Sequence, residues 1–215
     1  MFKTNKRLSI LLGIFALPIM MFSSCLKEGD DTIVLPLPDG KIPYSVIPKN
    51  LQDSLVAHGF VIHEGIEAPN IEGKFLSSPM VLQYASDNYQ NDFYDLYMRY
   101  AGQTRRGLIQ YSESQRDTVV GISQEANVIG SDSNFTMYCY QTISANNSRG
   151  DTLYRCKTAS VVSGIITESG IKDCQYSYVM LDKWARNDYY YSMIPEANTY
   201  RIWNDGDSLA IRLSE

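Results

Sequence analysis

Hydrophobic and polar positions follow three different patterns along the chain, and each pattern predicts a different kind of structure. Residues 8–22 form an uncharged, mostly apolar run behind the basic residues Lys3, Lys6 and Arg7. About fifteen residues suit the core of an export leader, whereas a spanning helix needs about twenty. Residues 26–46 show no period, and Pro36, Pro38 and Pro43 interrupt a mixture rich in Asp and Gly, so this stretch reads as a flexible spacer. After Pro48, Leu51, Leu55 and Val56 recur on one helical face and Gly59 supplies a left-handed stop. A short helix is expected there, with Ile47 or Phe60 covering one end of a core.

From Phe60 onward the period falls to two, in short runs of Tyr, Val, Ile and Thr divided by Gly, Asn, Asp and Ser. After Asp92, Tyr94, Leu96, Met98 and Tyr100 share one face of a strand, while Phe93, Asp95, Tyr97 and Arg99 share the other. Further strands are expected at 107–112, 118–123, 134–144, 152–167, 171–181, 198–204 and 208–213. The last two should pair as a hairpin, because Asp205-Gly206 suits a tight primed turn. Another turn falls at residues 146–151; its Arg149-Gly150-Asp151 resembles an integrin-binding tripeptide but reads as ordinary turn chemistry. Many strands joined by short turns, without helices between them, predict a single antiparallel β-barrel, with a β-sandwich as the alternative.

The stretch Pro69-Asn70-Ile71-Glu72-Gly73-Lys74-Phe75 resembles the element that opens the first strand of calycin or lipocalin-like barrels. The resemblance implies that Gly73 lets the chain bend tightly and that Phe75, standing in place of the usual Trp, plugs the closed end of the barrel. Eight or nine strands fit a barrel of that kind.

Phe22-Ser23-Ser24-Cys25 closes the apolar run and reads as a lipoprotein cleavage site, with Cys25 as the lipidated residue. The chain then divides into a signal peptide over 1–24, a lipidated Cys and tether over 25–46, and a barrel domain over 47–215. Lys27, Glu28, Asp30 and Asp31 resemble the export signal of surface lipoproteins of the Bacteroidota. That resemblance implies an outer-membrane protein, held to the membrane through Cys25 and displayed at the cell surface. Removal of residues 1–24 takes away three basic residues and no acidic one, moving the formal charge from −5 to −8. A nucleic-acid partner is disfavoured on charge.

Candidate chemistry is sparse. His58 and His63 are the chain's two histidines; with Glu64 they would offer three ligands, but without the spacing of a zinc site they read as polar residues at an element boundary. No nucleophile elbow, phosphate-cradling loop or His-Glu-x-x-His motif is present, and no pair of carboxylates stands out for glycoside chemistry. Catalysis, a bound metal and a cofactor are therefore not expected. Cys139, Cys156 and Cys174 lie in different predicted strands and read as buried thiols.

The sixteen tyrosines are more informative. Tyr offers a flat apolar face and a polar tip, suited both to a β core and to stacking on sugars or flat ligands. Alternation selects Tyr94, Met98 and Tyr100 as residues lining a barrel interior. The run Tyr189-Tyr190-Tyr191 after Asp188, with Trp184 nearby, marks an exposed edge on a strand or loop, and Trp184 and Tyr190 are taken as its binding residues. Five Asp-Ser/Thr-aliphatic triplets, with acceptors Thr32, Ser54, Thr118, Thr152 and Ser208, resemble the O-glycosylation site of exported Bacteroidota proteins. The expectation is a non-catalytic envelope binding protein for a small apolar or saccharide ligand. The alternative is a structural subunit with a filled barrel and a protein partner.

Overall fold

A computed structural model describes residue 35 and residues 38–214, apart from the side chains of residues 117 and 124. The expected leader, Cys25 and Thr32 lie outside the described residues. The period-two pattern becomes ten strands: β1 (Gly73–Ser77), β2 (Met80–Ala85), β3 (Leu96–Ala101), β4 (Leu108–Gln115), β5 (Val119–Ser131), β6 (Asn134–Asn146), β7 (Thr152–Ile166), β8 (Gly170–Ala185), β9 (Tyr200–Asp205) and β10 (Leu209–Leu213). Two α-helices accompany them, α1 (Lys49–Ala57) and α2 (Asp188–Met193).

Every strand pairing is antiparallel, and β3 to β8 form a meander in chain order. β10 then bridges β8 and β1, and β1 meets β3, which closes a ring of eight strands. That closure removes the free edges a sandwich would keep and decides for the barrel.

The expected hairpin between the last two strands does not form. β9 and β10 both pair with the same edge of β8, at residues 175–179 and 170–172, and run as one strand with a kink at residues 206–208. β8 is sixteen residues long and can hold both. At the kink Ser208 has φ 65°, Asp173 donates its N–H to Ser208 O, and Gly206 donates to Pro79 O. Facing it, β1 and β2 form a second kinked strand, β1 on β10 and β2 on β9. At this corner Ser77 Oγ donates to the buried carboxylate of Asp205 at 2.5 Å. Beyond the kink β2 parts from β3, and residues 86–95 fill the space between them.

The described residues of the expected spacer, 35 and 38–46, pack with the domain. Leu35, Ile42, Val46 and Ile47 are buried with the barrel core. The chain from there to His63 lies across the outside of β6, β7 and β8. Ser45 O accepts from Tyr140 OH, Gly59 O from Gln175, Val61 O from Ser163 Oγ, and His63 N donates to Thr136 Oγ1. Helix α1 therefore covers a side of the barrel instead of an end. Tyr138, Val161 and Ser177 point outward on that wall and are nonetheless fully buried.

Two further expectations change. The strand after Asp92 starts only at Leu96, so Tyr94 precedes it, 49% exposed, with the Arg116 guanidinium 3.3 Å above its ring. Tyr94 does not line the interior. The tyrosine run is neither strand nor loop: Asn187 caps the N–H of Tyr190 and starts the single-turn helix α2, which has no buried residue.

Candidate functional site

Inside the ring, alternation along each strand delivers one side chain in two to the lumen. β3 contributes Leu96, Met98 and Tyr100; β4 contributes Ile109, Tyr111, Glu113 and Gln115. Tyr100 and Tyr111 are cross-strand partners with stacked rings 5.0 Å apart, and Phe75 meets Tyr100 edge-on at 5.8 Å. On the far side Trp203 stacks on Phe93 at 4.3 Å and touches Tyr176 and Tyr178. Tyr100, Tyr111, Tyr176, Phe75, Phe135 and Trp203 are all fully buried. Aromatic side chains occupy the space a lumenal ligand would need.

One carboxylate lies among these rings. Glu113 accepts a hydrogen bond from Tyr111 OH at 2.6 Å and another from Tyr176 OH at 3.0 Å. Burial pushes its pKa up, and the two phenols only partly offset that. Burial likewise pushes Tyr100, Tyr111 and Tyr176 well above the ordinary phenol value, so they serve as donors. Gly121 opposes Glu113 across β4 and β5, and a Cβ there would run into the Gln141 amide and Glu113 Cγ. Thr158 and Ser160 extend the polar patch to the Gln141 carbonyl. The hydroxyls of Tyr111, Tyr176, Thr158 and Ser160 and the Glu113 carboxylate bond to one another or to Gln141, while Tyr100 OH turns to Met98 Sδ, so these polar groups serve to hold the interior together.

The concavities lie outside. Three adjoining grooves on the outer wall of β1, β3, β4 and β5 share Arg99. The largest, about 540 Å³, is lined by Glu72, Lys74, Arg99, Arg212 and their neighbours. A second of about 320 Å³ involves Gln110, Ser112 and Ile122, and a third of about 290 Å³ runs past Lys74, Tyr97, Ser112 and Ser114. Lys74 and Arg99 are cross-strand partners, and Tyr97 precedes Arg99 on the same outward face.

The sequence-selected binding residues do not converge. Met98 and Tyr100 are interior, joined by a hydrogen bond from Tyr100 OH to Met98 Sδ at 3.4 Å, and Tyr94 is outside under Arg116. Trp184 is 53% exposed near the end of β8, and Tyr190 is half-buried on α2. Among the acceptor positions, Ser54 bonds to Asn50 O within α1, Thr152 opens β7, Thr118 ends a 3-10 turn, and Ser208 sits exposed at the kink. His58 stacks on Tyr84 at 3.5 Å, and burial holds His63 below its ordinary value. No group of three or more His, Cys, Asp or Glu is placed to hold a metal among the described residues. Sequence reasoning passed over Lys74 and Arg99, because their juxtaposition depends on the pairing of β1 with β3.

Comparison of the chain with protein-family models, curated proteins and solved structures finds no match.

Proposed function

We propose that this protein is a lipid-anchored, non-catalytic module of the outer-membrane surface, whose calycin-like barrel is a filled support for recognition on its outer wall and rim. The observation that carries this reading is the lumen: Tyr100, Tyr111, Tyr176 and Trp203 fill it, while the open grooves face solvent. That favours the structural or interaction subunit over a carrier of a lumenal ligand. The anchor rests on the leader and Cys25, and surface display on the charged residues that follow.

The test has two parts. Cys25→Ser should release the protein from the membrane fraction, and protease added to intact cells should digest the parent chain. Native mass spectrometry of the protein from its own host should find an unliganded chain or an assembly with a partner. A co-purifying small molecule displaced by Tyr100→Ala would overturn the filled-barrel reading.

A further inference from the structure

Lys74 and Arg99 face each other across β1 and β3, both exposed, and among the described residues neither reaches an acidic side chain or makes a side-chain hydrogen bond. Like charges directly opposite on a sheet repel. The neighbouring outward positions supply no counter-charge: Leu213 lies beyond Lys74, and Ser112 then Ile122 lie beyond Arg99. Glu72, at the groove's edge, turns its carboxylate to the N–H of Gln103 at 2.6 Å. Arg212 adds a third cation, held by Glu72 O and the Phe75 ring. In a chain with 24 acidic and 19 basic residues, three cations line one groove, and none of them has an acidic partner among the described residues.

The surroundings narrow the chemistry of what would neutralise them. Tyr97 stands 46% exposed on the same face, a flat ring with no aromatic or cationic neighbour stacked on it. Gln110, Ser112 and Ser114 line the adjoining grooves, and their side-chain donors and acceptors are unused within the protein. A simple anion would use the cations and ignore the rest. A chain of sugar rings bearing carboxylates or sulfates would use all of it: charges on Lys74 and Arg99, a ring face on Tyr97, hydroxyls on the serines and Gln110.

We propose that this outer wall binds an acidic oligosaccharide, an inference that rests on reading the protein as a surface recognition module. The experiment uses the full chain in detergent micelles, titrated calorimetrically with a uronate tetrasaccharide, a sulfated tetrasaccharide, neutral maltotetraose and inorganic sulfate. At least one acidic tetrasaccharide should bind ten-fold or more tightly than maltotetraose and sulfate, and the affinity should fall as salt rises. Lys74→Ala with Arg99→Ala should cost at least ten-fold, and Tyr97→Ala several-fold. All three positions are on the surface, so the variants should melt with the parent.

Equal binding of the neutral sugar, no binding of either acidic one, or survival of binding in the double variant overturns the proposal. Sulfate binding as tightly as the saccharides, or an unaffected Tyr97→Ala, reduces the groove to a simple anion site and overturns it too. Protease digestion on intact cells reads the underlying function separately. If the chain is digested there and no acidic sugar binds, only the glycan inference falls.

Discussion

At the scale of single residues the interior combines large rings with one carboxylate, and the two respond differently to change. Trp203→Ala would leave a cavity bounded by Phe93, Tyr176 and Tyr178 and should cost about 3–5 kcal/mol in chemical denaturation. Gly121→Val forces a side chain onto Glu113 and Gln141 and should cost about 1–3 kcal/mol. Glu113 has a pKa raised by burial above its ordinary 4.5, so the folded state holds that proton more tightly than the unfolded chain. Its ionisation therefore costs no stability below pH 4.5 and costs progressively more as the pH rises above it. Glu113→Gln removes the ionisation but leaves one phenol without an acceptor. The variant should be the less stable form at pH 4 and gain on the parent as the pH rises; a stability difference constant from pH 4 to 8 would contradict this. Cys139, Cys156 and Cys174 are free and buried, and burial raises all three thiols, Cys156 to about 11. A thiol reagent at pH 8 should label none in the folded protein and all three once it is unfolded.

At the scale of elements, the barrel depends on two kinked strands and on one segment without regular structure for most of its length. β6, β7 and β8 are buried on both faces near their middles, the inner face by the lumen and the outer by residues before β1. That is why their alternation of buried and exposed positions disappears there, although the sequence still alternates at the strand ends. Leu35, Ile42 and Val46 are buried in the same core. Each is worth about 1.5–3 kcal/mol as an upper estimate. A chain beginning at residue 48 should denature several kcal/mol more easily than one beginning at residue 35; equal midpoints would show the segment to be a passive spacer. The single-turn helix α2 is held mainly by its cap and by Lys183, which lies 4.1 Å from the Tyr191 ring and pairs with Glu196 at 2.6 Å. With no buried residue, it adds surface and little core.

At the scale of the whole molecule, a filled barrel is suited to presenting a rigid surface, and the proposed lipid tether would hold that surface at the membrane. The chain's net negative charge disfavours polyanions in general, so an anion-binding groove would work through the local field of Lys74, Arg99 and Arg212. Ser208 and Thr118 are exposed acceptor positions. Mass spectrometry of natively expressed protein should find added hexose at two or more of the acceptor positions, and a mass accounted for by lipid alone would remove that reading.

The sequence by itself determined the all-β class, the placement of α1 and the approximate position of most strands. It also determined which side chains of β3 turn inward, because those follow from period, turn residues and Gly59. It predicted a barrel without being able to close it: closure rests on β10 meeting β1 and β8, contacts between residues far apart in the chain. The Asp205-Gly206 signal was real as a bend, but a long β8 offered both halves the same edge, so a kink formed where local chemistry predicts a hairpin. The proline-rich stretch looked like a spacer because its apolar residues lack a period, and they need none when the surface they cover is supplied by β6, β7 and β8. Tyr94 fell out of the interior because β3 begins two residues after it. The pairing of Lys74 with Arg99 was invisible for the same reason as the closure: each is an ordinary exposed strand residue until the tertiary fold sets them side by side.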